Sequence, residues 1–321
     1  SYPADQYALV PQEVVDSLSV TDLIILEDGA SEFIVVAKDE TSLTAQAVHD
    51  CKVNHRKTMN TPGVVLDMPS LTDRDFQYLE AINPELVDFV GLSFVRDVQD
   101  IQILRAKLDE KGYKAGIIAK IENQEALNNI DDIIAHSDAV MVARGDLGVE
   151  VPYQELTHWQ KTIIEKCRTA AVPVITATQM LKSMVDSPRP TRAEVSDVAH
   201  AIYDGTDAVM LSEETTIGKY PVQAVETQTK IAEFNEKYTS FAVSPLPENT
   251  TEPDKLISTA VASIIHSAAN IDKIVCFTHT GKTARMFSRL RLQVPVFAVT
   301  ESELVRRTLN LQYGITPFTI D

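Results

Sequence analysis

The chain has 321 residues, of which 44% are hydrophobic and 23% are charged, the composition of a globular protein with two or three domains. Its formal net charge of −17 argues against a nucleic-acid partner, because phosphate backbones bind basic surfaces. The chain has no apolar run of transmembrane length and no signal-peptide pattern at its start, so we expect neither a membrane partner nor secretion.

The first part of the chain favours short β-strands. Three segments rich in β-branched residues, LIILED, EFIVVAK and LTAQAVHD, are separated by polar turns such as the Asp-Gly pair at 28–29. The segment 54–63, which ends on a Pro-Gly pair, is typical of an exit linker. We therefore predict part of a small all-β domain over residues 1–62.

From about residue 70 onward, strand-like and helix-like segments alternate. The predicted strands are apolar runs at 87–95, 116–122, 139–144, 173–178 and 207–212. The segments between them have apolar residues at spacings of three and four, which indicates amphipathic helices. Such alternation predicts parallel strands with right-handed crossovers, and the uninterrupted apolar runs favour burial on both faces. We assign residues 63–243 to this α/β domain.

The number of predicted strands is too small for a closed barrel. A (β/α)8 barrel needs eight strands, and this region has five. Five strands would leave open edges and an exposed apolar inner face. Two alternatives remain open at this point: a doubly wound open sheet, or a barrel whose first strands are absent from the sequence.

A further region follows the Pro-rich segment 244–254. Helix and strand patterns alternate again, which predicts a second, smaller α/β domain over residues 244–321. Cys276 lies in its apolar run KIVCF, where we expect a buried, inert thiol. The chain's three cysteines are widely spaced and form no Cys-x-x-Cys pair, a usage typical of the reducing cytoplasm, where we place the protein.

Polar clusters end two neighbouring predicted strands. The first contains Lys120 and Glu122, and the second contains Arg144, Gly145 and Asp146. Because the carboxyl ends of parallel strands meet at one edge, these side chains should share a cleft. One lysine and two carboxylates can hold a divalent cation beside an anionic substrate, which would experience the field of Lys120 and Arg144. Solvated polar residues explain either cluster alone equally well, but their recurrence favours a site.

The barrel segment closely resembles pyruvate kinase. The family's signatures read here as GLSFVR (91–96), AKIEN (119–123), VARGDLGVEVP (142–152), VITATQML (174–181), SPRPTRAEVSDVAHAIYDGTDAVMLSEET (187–215) and GKYP (218–221). They are long, they occur in the family's order, and the resemblance is strong over residues 60–240. It implies a TIM (β/α)8 barrel, partial in this sequence, with a small β lid domain and a C-terminal regulatory α/β domain. The first barrel strands would then precede this sequence.

The resemblance also implies an activity and a set of site residues. Pyruvate kinase transfers the phosphoryl group of phosphoenolpyruvate to ADP, giving pyruvate and ATP in glycolysis. Glu122 and Asp146 are then expected to hold Mg2+ or Mn2+, and Lys120 to lie by the transferring phosphoryl group and the enolate. The backbone N–H groups of Gly145 and Asp146, with the hydroxyl of Thr178, are expected to bind the substrate carboxylate. K+ is a further expected cofactor, but its ligands fall outside this sequence.

Other implied roles rest on shorter matches. Ser212 and Glu214 are expected either to support the site residues or to relay protons. Lys57 matches a lysine that contacts nucleotide phosphate, although Thr58 stands where the family has glycine. A turn in the last domain resembles the family's effector-phosphate loop and equally fits an ordinary βα turn; its candidate residues are Thr278, Thr280, Gly281, Lys282 and Thr283. By analogy with the family we expect a homotetramer.

Two functions remain open from the sequence. The chain is either part of an authentic pyruvate kinase or a truncated, catalytically incomplete relative that binds ligands or partners. Because the set Lys120, Glu122, Asp146 and Thr178 is intact, the first is favoured. A metal-dependent aldolase on a similar barrel is a distant third. We expect residues 1–321 expressed alone to aggregate or to bind dye as a loosely packed state, and not to transfer phosphate.

Overall fold

The computed structural model describes the chain in seven stretches: residues 12–27, 29–54, 57–66, 68–239, 241, 251–267 and 270–320. Asp28 of the predicted first turn and residues 244–250 of the predicted Pro-rich segment lie outside these stretches. Within them the chain forms three β-sheets, which follow one another along the sequence. No helix in these stretches is both long enough and apolar enough to cross a bilayer.

The first sheet is antiparallel. A short helix, α1 (Gln12–Ser17), precedes its strands β1 (Leu23–Leu26), β2 (Ser31–Lys38), β3 (Leu43–Ala47) and β4 (Met59–Asn60). The spatial order is β3-β2-β1-β4, and the core of the sheet contains Leu18, Ile24 and Val35. The three predicted strands are confirmed, although the third ends at Ala47 rather than at residue 50. β4 lies in the segment predicted to be a linker and was not predicted.

The second sheet is parallel and holds the barrel strands. They are β5 (Phe89–Leu92), β6 (Gly116–Ile121), β7 (Ala139–Ala143), β8 (Val174–Ala177) and β9 (Ala208–Met210). All five predicted strands are confirmed, each shorter than its apolar run. They neighbour one another in sequence order, with β5 and β9 at the edges. A doubly wound sheet reverses its order at a switch point, so this sequential order identifies an open part of a (β/α)8 barrel.

Helices precede the first barrel strand, connect the strands and follow the last of them. They are α2 (Asp73–Ala81), α3 (Val98–Glu110), α4 (Gln124–Asn128), α5 (Ile130–His136), α6 (Arg144–Glu150), α7 (Leu156–Ala170), α8 (Arg192–Asp204), α9 (Glu213–Thr216) and α10 (Pro221–Glu236). The helical segment predicted between β6 and β7 is divided into α4 and α5, because the chain interrupts it at Asn129. The side chain of Asn129 donates a hydrogen bond to the carbonyl oxygen of Arg96, at 3.0 Å. This tertiary contact holds the break between α4 and α5.

The two faces of the barrel sheet differ in burial. Along β6, Ile117, Ala119 and Ile121 are fully buried in the core beneath the helices. Ile118 and Lys120 alternate with them and therefore lie on the inner face, where both are only half-buried. β7 and β8 are buried along their whole length. The expectation of burial on both faces thus holds for the central strands, while β6 and the edge strands keep a partly exposed inner face because the sheet is open.

The third sheet is also parallel, in the order β10-β11-β12. Its strands are β10 (Ile274–Phe277), β11 (Val296–Thr300) and β12 (Ile315–Thr319), and its helices are α11 (Pro253–Ser267), α12 (Lys282–Ser288) and α13 (Glu303–Leu309). Cys276 is buried in its core, and burial raises the pKa of this thiol to about 11. The expected inert thiol is therefore confirmed, because it stays protonated near neutral pH.

A buried ion pair joins the third sheet to the barrel sheet. Arg291, which precedes β11, lies 2.8 Å from the carboxylate of Asp207, which precedes β9, and both side chains are at most 2% exposed. The guanidinium also donates to the carbonyl oxygen of Gly205, at 2.7 Å. Asp207 in turn accepts backbone N–H groups of Val174 and Tyr313, each at 3.0 Å. The pair therefore ties together segments from both parts of the chain.

Arg291→Met is expected to destabilise the protein by about 3–5 kcal/mol, because it leaves the carboxylate of Asp207 buried without its cation. The measurement is the midpoint of urea unfolding, monitored by circular dichroism. Arg306→Met is the matched control, since Arg306 pairs with Glu303 on the exposed surface of α13. Loss of that exposed pair should cost less than about 1 kcal/mol. Equal effects of the two substitutions would contradict the assigned role of Arg291.

Candidate active site

The carboxyl ends of the five barrel strands lie along one edge of the sheet. Polar residues or glycine occur at the end of each strand or soon after it. In strand order these are Ser93, the pair Lys120 and Glu122, the pair Gly145 and Asp146, Thr178 and Ser212. The predicted meeting of residues at the strand ends therefore has a structural basis.

Lys120 and Glu122 form the centre of this cluster. They are two residues apart at the end of β6, so their side chains leave the backbone on the same face. Nζ of Lys120 lies 2.6 Å from Oε1 of Glu122, and the carboxylate side chain is 1% exposed. The same ammonium donates a hydrogen bond to Oγ of Ser93, at 2.8 Å. Oε2 of Glu122 accepts the backbone N–H of Phe94, at 2.6 Å.

Electrostatics at Glu122 depend on burial and on two neighbouring charges. Burial raises the pKa of Glu122 and is the largest influence, while Lys120 and the N–H of Phe94 lower it. The negative charge of Asp146 raises it further. The net result is a pKa above that of an ordinary glutamate. A cation between the two carboxylates would relieve this repulsion.

The residues of the cluster suit a divalent cation that takes some of its ligands from the protein and the others from a bound substrate. No set of three His, Cys, Asp or Glu side chains within the described residues is arranged to hold a metal. Glu122 and Asp146 supply two carboxylates, and Mg2+ typically takes one or two carboxylates and completes its shell with water and phosphate oxygens. Oε1 of Glu122 also receives no well-aligned hydrogen bond from the described residues. The donor set therefore suits Mg2+ or Mn2+ with an anionic ligand present.

The guanidinium of Arg144 is occupied by contacts within the protein. It begins α6, a helix that was not predicted and that starts directly after β7. Its guanidinium lies 2.6 Å from the carboxylate of Asp197 and donates to the carbonyl oxygen of Thr178, at 2.7 Å. Asp197 offsets part of this charge, and the expectation that a substrate experiences the field of Arg144 stays a prediction. Arg144 contacts the end of β8. Lys120 is the cation that pairs with Glu122.

Thr178 adopts a strained backbone conformation with φ of 70°, which is rare for a β-branched residue. Its Oγ accepts the backbone N–H of Gly145 at 2.7 Å and donates to the carbonyl oxygen of Ala177 at 2.7 Å. The structure thus brings Gly145 and Thr178 together, but each is the hydrogen-bond partner of the other. A substrate carboxylate can receive hydrogen bonds from both groups only after they exchange these partners, so their carboxylate-binding role stays a prediction.

Ser212 and Glu214 belong to a separate network at the edge strand. Glu214 is 1% exposed and accepts the backbone N–H groups of Ser212, at 2.9 Å, and Leu181, at 3.0 Å. Its carboxylate therefore fixes the turns after β8 and β9. Ser212 follows β9, three strands along the sheet from β6, and forms no hydrogen bond with Lys120. Their role in proton transfer stays a prediction.

Lys57 lies near the first sheet's contact with the barrel. Its ammonium is 3.6 Å from the carboxylate of Glu27, so it already has an acidic neighbour. Three residues later, the side-chain amide of Asn60 donates to Glu150 of α6, at 3.1 Å. This contact places the first sheet against the helix that carries Asp146. The assignment of Lys57 to a nucleotide phosphate stays a prediction.

The turn predicted to bind an effector phosphate lies between β10 and α12. Gly281 has φ of 79°, a conformation that glycine adopts readily, and precedes the first residue of the helix. Lys282 lies 2.8 Å from the carboxylate of Asp254. The backbone N–H of Thr278 donates within the sheet, and the carbonyl oxygen of Thr280 accepts from Arg285. Lys282 would have to leave Asp254 to bind a phosphate, so the effector site, including Thr283, stays a prediction.

Sequence reasoning missed two residues of the turn after β5. Ser93 and Phe94 contact Lys120 and Glu122, and both lie within the GLSFVR segment. Ser93 was treated as part of a predicted strand that ends earlier in the structure, at Leu92. The polar serine in an otherwise apolar run was the available signal. No local pattern predicts the positive φ of 52° at Phe94.

Comparison with known proteins gives concordant matches. The family models described as pyruvate kinase, barrel domain, and pyruvate kinase, alpha/beta domain, match residues 4–225 and 255–321. A pyruvate kinase from Bacillus licheniformis is 42% identical over 317 residues, covering 97% of this chain and 54% of that protein. One from Agrobacterium vitis is 44% identical over 295 residues, covering 91% and 60%. A crystal structure of a pyruvate kinase from Cryptosporidium parvum superposes with a TM-score of 0.90 at 33% identity, covering 96% and 65%.

Proposed function

This chain belongs to the pyruvate kinase family, and on that premise we propose that the protein transfers the phosphoryl group of phosphoenolpyruvate to ADP, giving pyruvate and ATP. The chain spans between about half and two thirds of the length of the relatives described above. The activity, substrates and partners of the whole protein are therefore part of the proposal. The Lys120–Glu122 pair beside Asp146, at the carboxyl ends of the barrel strands, supports it most strongly.

The reaction requires charge to be neutralised at three places. Phosphoenolpyruvate carries a carboxylate and a phosphate. A terminal oxygen of ADP bonds to phosphorus, the bond from phosphorus to the enol oxygen breaks, and that oxygen keeps the electron pair. A proton then adds to the terminal carbon of the resulting enolate and gives pyruvate. The transfer is accelerated by groups that stabilise the transferring phosphoryl group and the developing enolate more strongly than they stabilise the bound substrate.

Glu122 and Asp146 are the residues that would hold Mg2+ or Mn2+, and the bound cation would supply Lewis-acid neutralisation of the phosphoryl and enolate oxygens. Their donor set fits such an ion, as their mutual repulsion and the burial of Glu122 indicate. We propose K+ as a further cofactor.

Lys120 is proposed to place its ammonium against the transferring phosphoryl group and the developing enolate. Its pairing with Glu122 keeps it at the end of β6, and 26% exposure of its side chain leaves it accessible to a ligand. The backbone N–H groups of Gly145 and Asp146 and the hydroxyl of Thr178 are proposed to bind the carboxylate. For Gly145 and Thr178 this requires exchange of their mutual hydrogen bond for bonds to the ligand.

The remaining roles complete the proposal. Ser212, supported by Glu214, takes part in proton transfer, and Lys57 contacts the nucleotide. The turn with Thr278, Thr280, Gly281, Lys282 and Thr283 binds a phosphorylated effector. We propose part of a small β domain over 1–62, a partial catalytic barrel over 63–243 and part of a regulatory domain over 244–321. The protein is proposed to act in the cytoplasm as a homotetramer.

Pyruvate formation by the intact protein tests the proposed reaction. Turnover is expected only when phosphoenolpyruvate, ADP and Mg2+ are present together, with ATP and pyruvate formed in equal amounts. Omission of ADP is the decisive control, because simple phosphate hydrolysis or aldol chemistry does not require a nucleotide. Pyruvate formation without ADP, or no turnover in a folded intact protein, would contradict the proposal. The second outcome would favour a catalytically incomplete binding protein.

A further inference from the structure

The turn between β5 and α3 contacts both members of the central ion pair. Ser93 and Phe94 are adjacent in the chain. Oγ of Ser93 accepts a hydrogen bond from the ammonium of Lys120 at 2.8 Å, and the N–H of Phe94 donates to Glu122 at 2.6 Å. One dipeptide therefore fixes the cation through a side chain and the anion through the backbone.

The turn is itself held in place by two asparagine side chains that follow β6 in the chain. The side-chain amide of Asn123 donates to the carbonyl oxygen of Val95 at 3.1 Å, and that of Asn129 donates to the carbonyl oxygen of Arg96 at 3.0 Å. Phe94 has φ of 52°, an uncommon conformation for a residue other than glycine, which persists where surrounding contacts over-determine it. Ser93 therefore presents its hydroxyl from a constrained backbone.

We propose that Ser93 is a positioning residue, which holds the ammonium of Lys120 beside Glu122 in the geometry that phosphoryl transfer requires. The inference rests on the proposed function and deepens it, because it assigns a role to a residue next to the reacting groups. A lysine side chain has a flexible four-carbon stem, and its ammonium can occupy many positions. Glu122 alone attracts the ammonium without fixing its direction. The Ser93 hydroxyl supplies a second contact, from the turn after the neighbouring strand β5.

A preorganised charge is most effective when it needs no reorganisation during the reaction. Loss of the Ser93 contact should therefore affect the transition state more than the binding of substrate. Glu122 keeps the lysine near the site in either case, so the substrate still meets a positive charge. The expected signature is a fall in kcat with little change in KM.

Ser93→Ala, Ser93→Thr and Ser137→Ala in the intact protein test the inference. Ser93→Ala is expected to lower kcat on the order of tenfold, the scale of lost outer-shell contacts, with KM for phosphoenolpyruvate within about twofold. Ser93→Thr keeps the hydroxyl and should restore kcat to near the unmodified value. Ser137 is the matched control, because it is half-buried and its hydroxyl forms one hydrogen bond, to Ile133 at 2.7 Å, at the opposite end of the strands. Ser137→Ala should leave both constants unchanged.

An unchanged kcat in Ser93→Ala, a change in KM alone, or equal losses in Ser93→Ala and Ser93→Thr would each overturn the inference. Crystal structures of the two variants provide a readout that does not depend on activity. In Ser93→Ala the Lys120 ammonium should stay near Glu122 but move from the position it occupies beside Ser93, and in Ser93→Thr it should keep its place. An unmoved ammonium in Ser93→Ala would overturn the positioning role even if the unmodified protein proved inactive. Inactivity of the unmodified protein would by itself contradict only the proposed function.

Discussion

Lys120→Met in the intact protein is expected to lower kcat by on the order of 10²-fold or more, while KM for phosphoenolpyruvate changes far less. Methionine keeps a long unbranched side chain and removes the charge. The ammonium that lies 2.6 Å from Glu122 would be lost, together with its proposed contact to the phosphoryl group and the enolate. Because charge on the enolate oxygen develops only as the bond to phosphorus breaks, the loss should fall mainly on the transition state.

The matched control for this substitution is Lys111→Met. Lys111 also pairs with a glutamate, Glu80, at 2.8 Å, but on the outer helices of the barrel. Initial rates over a range of phosphoenolpyruvate concentrations separate the two constants, and circular dichroism checks that each variant is folded. A rise in KM with unchanged kcat would make Lys120 a ground-state binding residue and contradict its assignment.

Glu122→Gln should raise the Mg2+ concentration needed for half-maximal activity by at least roughly tenfold, and Asp146→Asn should do the same. Each amide keeps the shape of the side chain and replaces a charged oxygen ligand by a weaker neutral one. The measurement is the initial rate as a function of free Mg2+ at saturating substrates. Glu80→Gln is the control, since Glu80 pairs with Lys111 away from the cleft.

Equal Mg2+ dependence in Glu122→Gln and in the unmodified protein would contradict the metal assignment. A normal Mg2+ requirement combined with a lower kcat would instead give Glu122 the single task of orienting Lys120. The two substitutions at Glu122 and Asp146 should also not be additive, because both carboxylates are proposed to hold one ion.

Local patterns in the sequence were sufficient to predict the main elements of the barrel. Apolar runs bounded by polar residues located all five barrel strands, and their alternation with helical segments predicted the parallel order. The spacing of Lys120 and Glu122 was sufficient to place both side chains on one face of a strand end. These inferences succeeded because each depends on residues close together in the chain.

The parts that sequence reasoning missed depend on contacts between distant residues. Arg144 pairs with Asp197, 53 positions away, and this pairing offsets part of its charge. The hydrogen bond between Gly145 and Thr178 spans 33 positions, and it occupies two groups that were expected to bind substrate. Ser93 meets Lys120 across neighbouring strands. Local periodicity carries no information about such partners.

The location of a bound metal tests the central claim most directly. Crystals of the intact protein grown with Mn2+ and a non-reactive dicarboxylate such as oxalate would show the ion by its anomalous scattering. We expect one ion bridging the carboxylates of Glu122 and Asp146, at about 2.1 Å from an oxygen of each, as for a hard cation with oxygen ligands. The ammonium of Lys120 should face the dicarboxylate on the same side. A Mn2+ ion bound elsewhere in the barrel, with neither carboxylate as a ligand, would contradict the assignment of this strand-end cluster as the catalytic centre.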